Sequence, residues 1–252
     1  MFRQFFTMRL KRHARKVFAF LFPQGFDGEV FLCGGAFTPL LKKGQHVHDL
    51  DLWVRNQPER EKLCAALIQR GAVLLQDFKP FCLKFRLEGQ IIEVSYHNVG
   101  DASLSDVLHT FDLAISGMGA RFHHGKVVET IVHDECWHSV RSRELAVMDS
   151  YRCLIMLAKT PCLLRTLHRM GQKATELGYK VATKDEHRLW DIYWRDYSEE
   201  ERRVAMDMYF DTMVSYKGQH NERIVHKATA GYTTITRIKP RQESIQMVPK
   251  VA

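Results

Sequence analysis

The chain has 252 residues, 45% apolar and 26% charged, with a net charge of +8. That composition suits a soluble globular protein of one large domain or two small ones, and no apolar run approaches the ~18 residues of a membrane span. The basic balance favours polyanionic partners, nucleic acid or nucleotide phosphates, without specifying a chemistry.

The six cysteines lie mostly in apolar settings without paired spacing, which fits reduced core thiols in a cytoplasmic protein better than a disulfide framework. No acidic residue precedes Asp27. A transit peptide shares that bias, but Phe2, Phe6, Leu10, Ala14, Val17, Phe18 and Leu21 recur at helical spacing and Ser/Thr is scarce. The reading is therefore an amphipathic helix on which a sheet can pack.

Residues 30–33 read as a short strand ending at Gly34-Gly35, followed by a short helix over 36–43. Alternation over 49–54 predicts a strand, and Pro58 with Gly71 brackets a helix over 58–70. Three strands are expected at 73–78, 81–87 and 91–96, the last two joined at Glu88-Gly89-Gln90. Ser103 caps a helix to about His109, 111–115 is a strand candidate, and 121–130 folds as a hairpin at His123-His124-Gly125. A helix start capped by Asp134 follows, then helices over 148–159, 161–177 and 184–216. The expected architecture is α+β: a mixed or antiparallel sheet with flanking helices over 1–140, a helical domain over 141–235 that closes a cleft, and a frayed basic tail over 236–252.

Chemistry concentrates in the strand-rich half. Strand alternation puts Asp49 and Asp51 on one face while Leu50 and Leu52 enter the core. Carboxylates this close repel unless a cation lies between them, and a hard divalent ion such as Mg²⁺ is the common relief. Glu93, flanked by apolar residues in IIEVSYH, would complete an acidic cluster for two metals if its strand lies alongside. Gly34 and Gly35 permit close backbone approach to a triphosphate. Singly, a D-x-D, a paired glycine or a strand glutamate is ordinary surface; in this order they point to metal-dependent nucleotidyl transfer.

Taken together, GGAFTPLLKKGQHVHDLD (34–51), IEVSYHN (92–98), DLAISGMGA (112–120) and, more loosely, HRMGQKATELGYKV (168–181) resemble the DNA polymerase β-type nucleotidyltransferases. The nearest likeness is to the head domain of poly(A) polymerases and CCA-adding tRNA nucleotidyltransferases, over roughly residues 31–181. The resemblance implies catalytic, metal-binding carboxylates at Asp49, Asp51 and Glu93, with Mg²⁺ in a two-metal site and Mn²⁺ as a substitute. It implies nucleotide contacts from Gly34, Gly35, Asp112, Ser116 and Arg169, and Lys42 follows the glycines closely enough to approach phosphate. The implied partners are an NTP and an RNA 3′ end such as that of tRNA.

The departures are specific. Thr38-Pro39 stands where the family carries Arg-Asp, Thr110-Phe111 stands where it carries an arginine pair, and no E-D-x-x-R base-reading element is recognisable. Two other readings follow: the same chemistry on a protein or small-molecule hydroxyl, as in toxin-type relatives, or an RNA-binding relative without turnover. His46, His48, His123 and His124 read as loop histidines, and HDECWH (133–138) lacks the partner pair of a zinc finger. Trp190, Tyr193, Trp194, Tyr197 and Tyr209 read as core of the helical half, with RNA stacking as the sharper alternative.

Overall fold

The computed structural model describes residues 2–151, 162–217, 223–226 and 235–238, with side chains through 210. The expected helix over 148–159 falls largely outside the described residues. The chain forms two compact units, Met1–Arg143 and Glu144–Ala252.

The first unit contains β1 (Val30–Cys33), β2 (Asp49–Val54), β3 (Val73–Phe78), β4 (Cys82–Leu87), β5 (Gln90–Asn98), β6 (Met118–His123) and β7 (Lys126–Val132). They form one sheet in the order β3-β4-β5-β2-β1-β6-β7. Every neighbouring pair is antiparallel except β2 and β5, which run parallel. Glu88 and Gly89 both take positive φ, 48° and 84°, as a two-residue hairpin turn requires, and so set the β4–β5 register.

One face of this sheet is the core. Leu32, Leu50, Leu52, Val54, Phe85, Ile92, Val94 and Ala120 are buried there. Helix α1 (Phe2–Leu21) adds Phe6, Leu10, Ala14, Phe18 and Leu21, its stripe at helical spacing. Helix α3 (the third helix, Gln57–Gln69) adds Leu63, Ala66 and Leu67. Each large apolar side chain so buried contributes about 1.5–3 kcal/mol, so α1 is an integral part of this core. Asn56 caps the third helix, its side chain accepting from the Glu59 N–H. On the opposite face Phe31 and Cys33 form a smaller cluster with Leu104, Val107 and Leu108 of the helix Leu104–Leu108, whose Ser103–Asp106 capping box fixes its start.

Three local expectations are corrected. The short helix after β1 is a 3₁₀ turn, Gly34–Phe37, that contains the glycines and leads into α2 (Thr38–Leu41). Residues 111–115 are not a strand: the Asp112 carboxylate takes the Leu113 N–H at 2.9 Å and a 3₁₀ turn, Ala114–Ser116, follows. Local side-chain bonding of this kind competes with a ladder. The helix Asp134–Ser142 has His133 as its N-cap, and Asp134 lies in its first turn, where it pairs with Arg3.

In the second unit the strands Glu144–Leu145 and Lys180–Val181 pair in parallel, and Leu163–Leu177 and Thr183–Asp191 are helices. The single helix expected over 184–216 is interrupted by a π turn, Ile192–Asp196, before the helix Glu199–Lys217. Ser198 and Glu201 form a reciprocal cap, with N–H bonds of 2.7 and 3.2 Å, so a new helix must begin there. The π turn inserts extra backbone and shifts the phase. Tyr193 and Tyr197 are buried, while Trp190, ahead of the turn, and Trp194, within it, are exposed, which corrects the assignment of the two tryptophans to the core. Arg223–His226 and Ile235–Ile238 pair as antiparallel strands, where weakly patterned tail was expected from 236.

Candidate active site

The open face of the sheet gathers the acidic residues. Along β2, Asp49 and Asp51 are half-buried on this face, while Leu50, Leu52 and Val54 are fully buried on the other. The parallel neighbour β5 sets Glu93 directly opposite Asp51. One carboxylate oxygen from each of Asp49, Asp51 and Glu93 lies within 4.8 Å of the others. Among the described residues this is the one such group of three acidic, histidine or cysteine side chains. Its donors are hard oxygens, the set that Mg²⁺ and Mn²⁺ prefer, so the residues present fit a divalent ion.

The glycine turn lies against the same carboxylates. A Cβ on Gly35 would stand 3.3 Å from Asp49 Oδ1, and one on Gly34 would meet Asp51 Oδ2 at 2.5 Å. A side chain at Gly34 would displace the Asp51 carboxylate, and one at Gly35 would crowd Asp49. Cys33, opposite Asp51 in the β1–β2 register, is fully buried; burial first, and the Asp51 charge second, push its thiol well up. It stays protonated and packs.

A lysine enters the site that sequence reasoning passed over. Lys84 on β4 is the cross-strand partner of Glu93, and its Nζ lies 2.5 Å from Glu93 Oε1. The Cys82 thiol approaches the other Glu93 oxygen at 3.9 Å. The signal was available: a two-residue turn at Glu88-Gly89 pairs Leu87 with Gln90, and counting back in step brings Lys84 to Glu93.

Beyond Asp51 the face becomes aromatic. Trp53 makes edge contacts with Phe111 and His97, at centroid distances of 6.2 and 6.0 Å. Phe111 also reaches the Gly34 position, its ring edge 3.5 Å from a Cβ placed there. Thr38 is buried, and its hydroxyl donates to the Gly35 carbonyl at 2.7 Å. The two places where the resembled family has arginines thus hold a ring packed on the glycine turn and a hydroxyl turned back into it.

The remaining predicted residues are placed as follows. Asp112 is buried beside its own turn, and Ser116 closes that turn, its N–H on the Leu113 carbonyl at 2.9 Å. Lys42 is exposed at the C-terminal end of α2. Arg169 is half-buried on the helix Leu163–Leu177 of the second unit. His46, His48 and His124 are exposed, and His123 stacks on His124 at the hairpin tip with a centroid distance of 3.9 Å.

A mixed sheet whose open face carries a carboxylate triad over a double-glycine turn defines the α+β fold of the first unit. Solved structures share it: a tRNA-processing enzyme in an apo form matches with a TM-score of 0.52 at 15% identity, covering 76% of this chain and 52% of its own. A CCA-adding enzyme with ATP matches with a TM-score of 0.52 at 16% identity over 83% of this chain and 48% of its own. A tRNA nucleotidyltransferase complexed with a primer tRNA and an incoming ATP analogue gives 0.50 at 16% over 76% and 57%. The chain spans about half the length of these structures. No family model and no curated protein matches the sequence. Among the described residues no helix is long and apolar enough to cross a membrane.

Proposed function

We propose that this protein transfers a nucleoside monophosphate from an NTP to the 3′-hydroxyl of a tRNA-like RNA and releases pyrophosphate, in the cytoplasm. The observation that carries the reading is the convergence of Asp49, Asp51 and Glu93 within 4.8 Å, with Asp49 and Asp51 set against the double-glycine turn. The fold shared with tRNA nucleotidyltransferases, at low identity, supports the same reaction class.

In this reading Asp49, Asp51 and Glu93 hold Mg²⁺, with Mn²⁺ as a substitute, as a two-metal site. When bound there, such ions lower the pKa of an attacking hydroxyl and neutralise charge on the departing pyrophosphate. The chain's own contribution is positional. β2 and β5 hold the three carboxylates at one level of the sheet, and Gly34-Gly35 leaves room for phosphate oxygens beside them. Asp112 and Ser116 shape the neighbouring turn, Lys42 adds a cation toward the nucleotide, and Trp53 with Phe111 offers an apolar wall for a base or ribose.

The test is incubation with each α-labelled NTP, Mg²⁺ and total tRNA, comparing wild type with the double variant Asp49→Ala, Asp51→Ala. Label in RNA from the wild type alone supports the proposal. Label migrating with protein or a small molecule would keep the chemistry and change the acceptor. Equal incorporation by both proteins would reject the site.

A further inference from the structure

We infer that Lys84 is a resident counter-cation on Glu93 of the acidic triad: a divalent ion must take Glu93 from it, so strand β4 sets how tightly the site loads. The inference rests on the reading of the triad as a divalent-ion site and adds a residue outside the motifs that carry that reading.

Lys84 is not a loose surface lysine. The positive-φ turn at Glu88-Gly89 locks the β4–β5 register and aims Lys84 at Glu93 from the adjacent strand. Its ammonium meets Oε1 at 2.5 Å, and the two side chains are 29% and 25% exposed. The Phe78 ring lies on the ammonium's flank, 5.7 Å from centroid to Nζ, a cation–π contact that further limits where it goes.

The contact has an electrostatic consequence: carboxylates gathered within a few ångströms repel, and the ammonium relieves that repulsion at Glu93. The ammonium and the ion compete for the same carboxylate, and a like charge held beside the ion weakens its binding. In half-buried surroundings the Coulomb term at such separations corresponds to roughly tenfold or more in affinity. Lys84 therefore holds Glu93 from the β4 side before loading, and makes loading depend on ligands that arrive with the ion, such as a nucleotide's phosphates.

The alternative is a purely structural cross-strand pair, which would stabilise the hairpin and leave ion affinity alone. The experiment is Mn²⁺ titration of the full chain without nucleotide, read as loss of the free-ion EPR signal. It uses wild type, Lys84→Met, Lys84→Arg and the double variant Asp49→Asn, Asp51→Asn. The expected result is about tenfold tighter binding by Lys84→Met, near wild-type binding by Lys84→Arg, which keeps the charge, and none by the aspartate variant. Thermal unfolding of each protein with and without Mn²⁺ checks folding, and Lys84→Gln replaces Lys84→Met should the latter not fold. Unchanged or weaker binding by the neutral variants, with binding still lost in the aspartate variant, overturns the role of Lys84 and leaves the metal site standing. No binding by wild type or by a folded neutral variant overturns both.

Discussion

Gly34 and Gly44 both hold positive φ, +64° and +81°, yet only Gly34 has a side chain pressed against it. The Asp51 carboxylate occupies the place of its missing Cβ, whereas nothing lies within 4 Å of the corresponding point on Gly44. Alanine in the left-handed region costs about 1–2 kcal/mol at either site. At Gly34 it also pushes Asp51 aside, and a misplacement near 1 Å reduces turnover by ~100-fold. Gly34→Ala is therefore expected to lose both stability and activity, and Gly44→Ala stability alone. Denaturant unfolding and nucleotide incorporation, measured on both variants, separate the two effects; equal activity loss would mean that Asp51 is not held by the glycine turn.

Ion binding should be visible as stability. A ligand at 100 times its Kd stabilises the native state by about 2.7 kcal/mol, so Mg²⁺ or Mn²⁺ is expected to raise the unfolding temperature of the wild type. In Asp51→Asn that rise is expected to vanish while the fold persists, because Leu50 and Leu52 on the other face still fill the core. A full thermal shift in the variant would place the bound ion elsewhere.

Arg55 is the tie between β2 and the loop leading to the helix Leu104–Leu108. Its guanidinium takes both Glu29 oxygens, at 2.6 and 3.1 Å, and the carbonyls of Gly100 and Ala102. Removing it leaves Glu29, 12% exposed, with a lost partner. Arg55→Leu is expected to cost about 2–3 kcal/mol in urea unfolding. A change below the scatter of ordinary surface substitutions would show that the tie carries no net stability.

The same cluster sets an acid limit. Burial works to raise the Glu29 pKa, but hydrogen bonds from Arg55 and Arg121 outweigh it and hold the group below its ordinary 4.5. A depressed carboxylate pKa contributes stability that is complete above the unfolded value and lost as pH falls through the folded one. Stability should therefore drop below pH 4.5, and Glu29→Gln should be less stable at neutral pH with a shallower acid slope. Unfolding free energies measured from pH 3 to 7 check this; parallel curves for the two proteins would remove Glu29 from the account.

His13 adds a milder dependence nearer neutrality. Burial, opposed by the Ala36 carbonyl 2.8 Å away and reinforced by Lys16, lowers its pKa below 6.5. The unfolded chain then binds the proton more readily, so stability declines as pH drops below 6.5 toward the folded value. His13→Gln keeps a donor for Ala36 and is expected to flatten that decline. An unaltered slope would assign the titration to another group, with His133 next in line because burial lowers it too.

The site's carboxylates were legible because strand alternation is a local rule: Asp49, Leu50, Asp51 and Leu52 announce which face each takes, and the structure keeps that order. Glu93 was legible from its apolar flanks, but its partner Lys84 needed the hairpin register, a pairing between strands and not a pattern within one. The π turn at Ile192–Asp196 was harder still, since an inserted residue shifts every later position on the helix. The Ser198–Glu201 cap that marks the restart is written in the sequence, but apolar residues continue at helical spacing on both sides of it. Phe111 and Asp112 misled in the other direction, because an apolar run reads as strand until a side chain claims the backbone N–H.

Asp51 and Glu93 face each other across the one parallel pair of the seven-stranded sheet, with a helix and two strands strung between them in the chain. A ribosome delivers Asp51 long before Glu93, and the two meet across the sheet only where β5 lies beside β2. A half-made chain lacks the third acid, and capture of a metal ion by all three would mark the moment β5 joins the sheet.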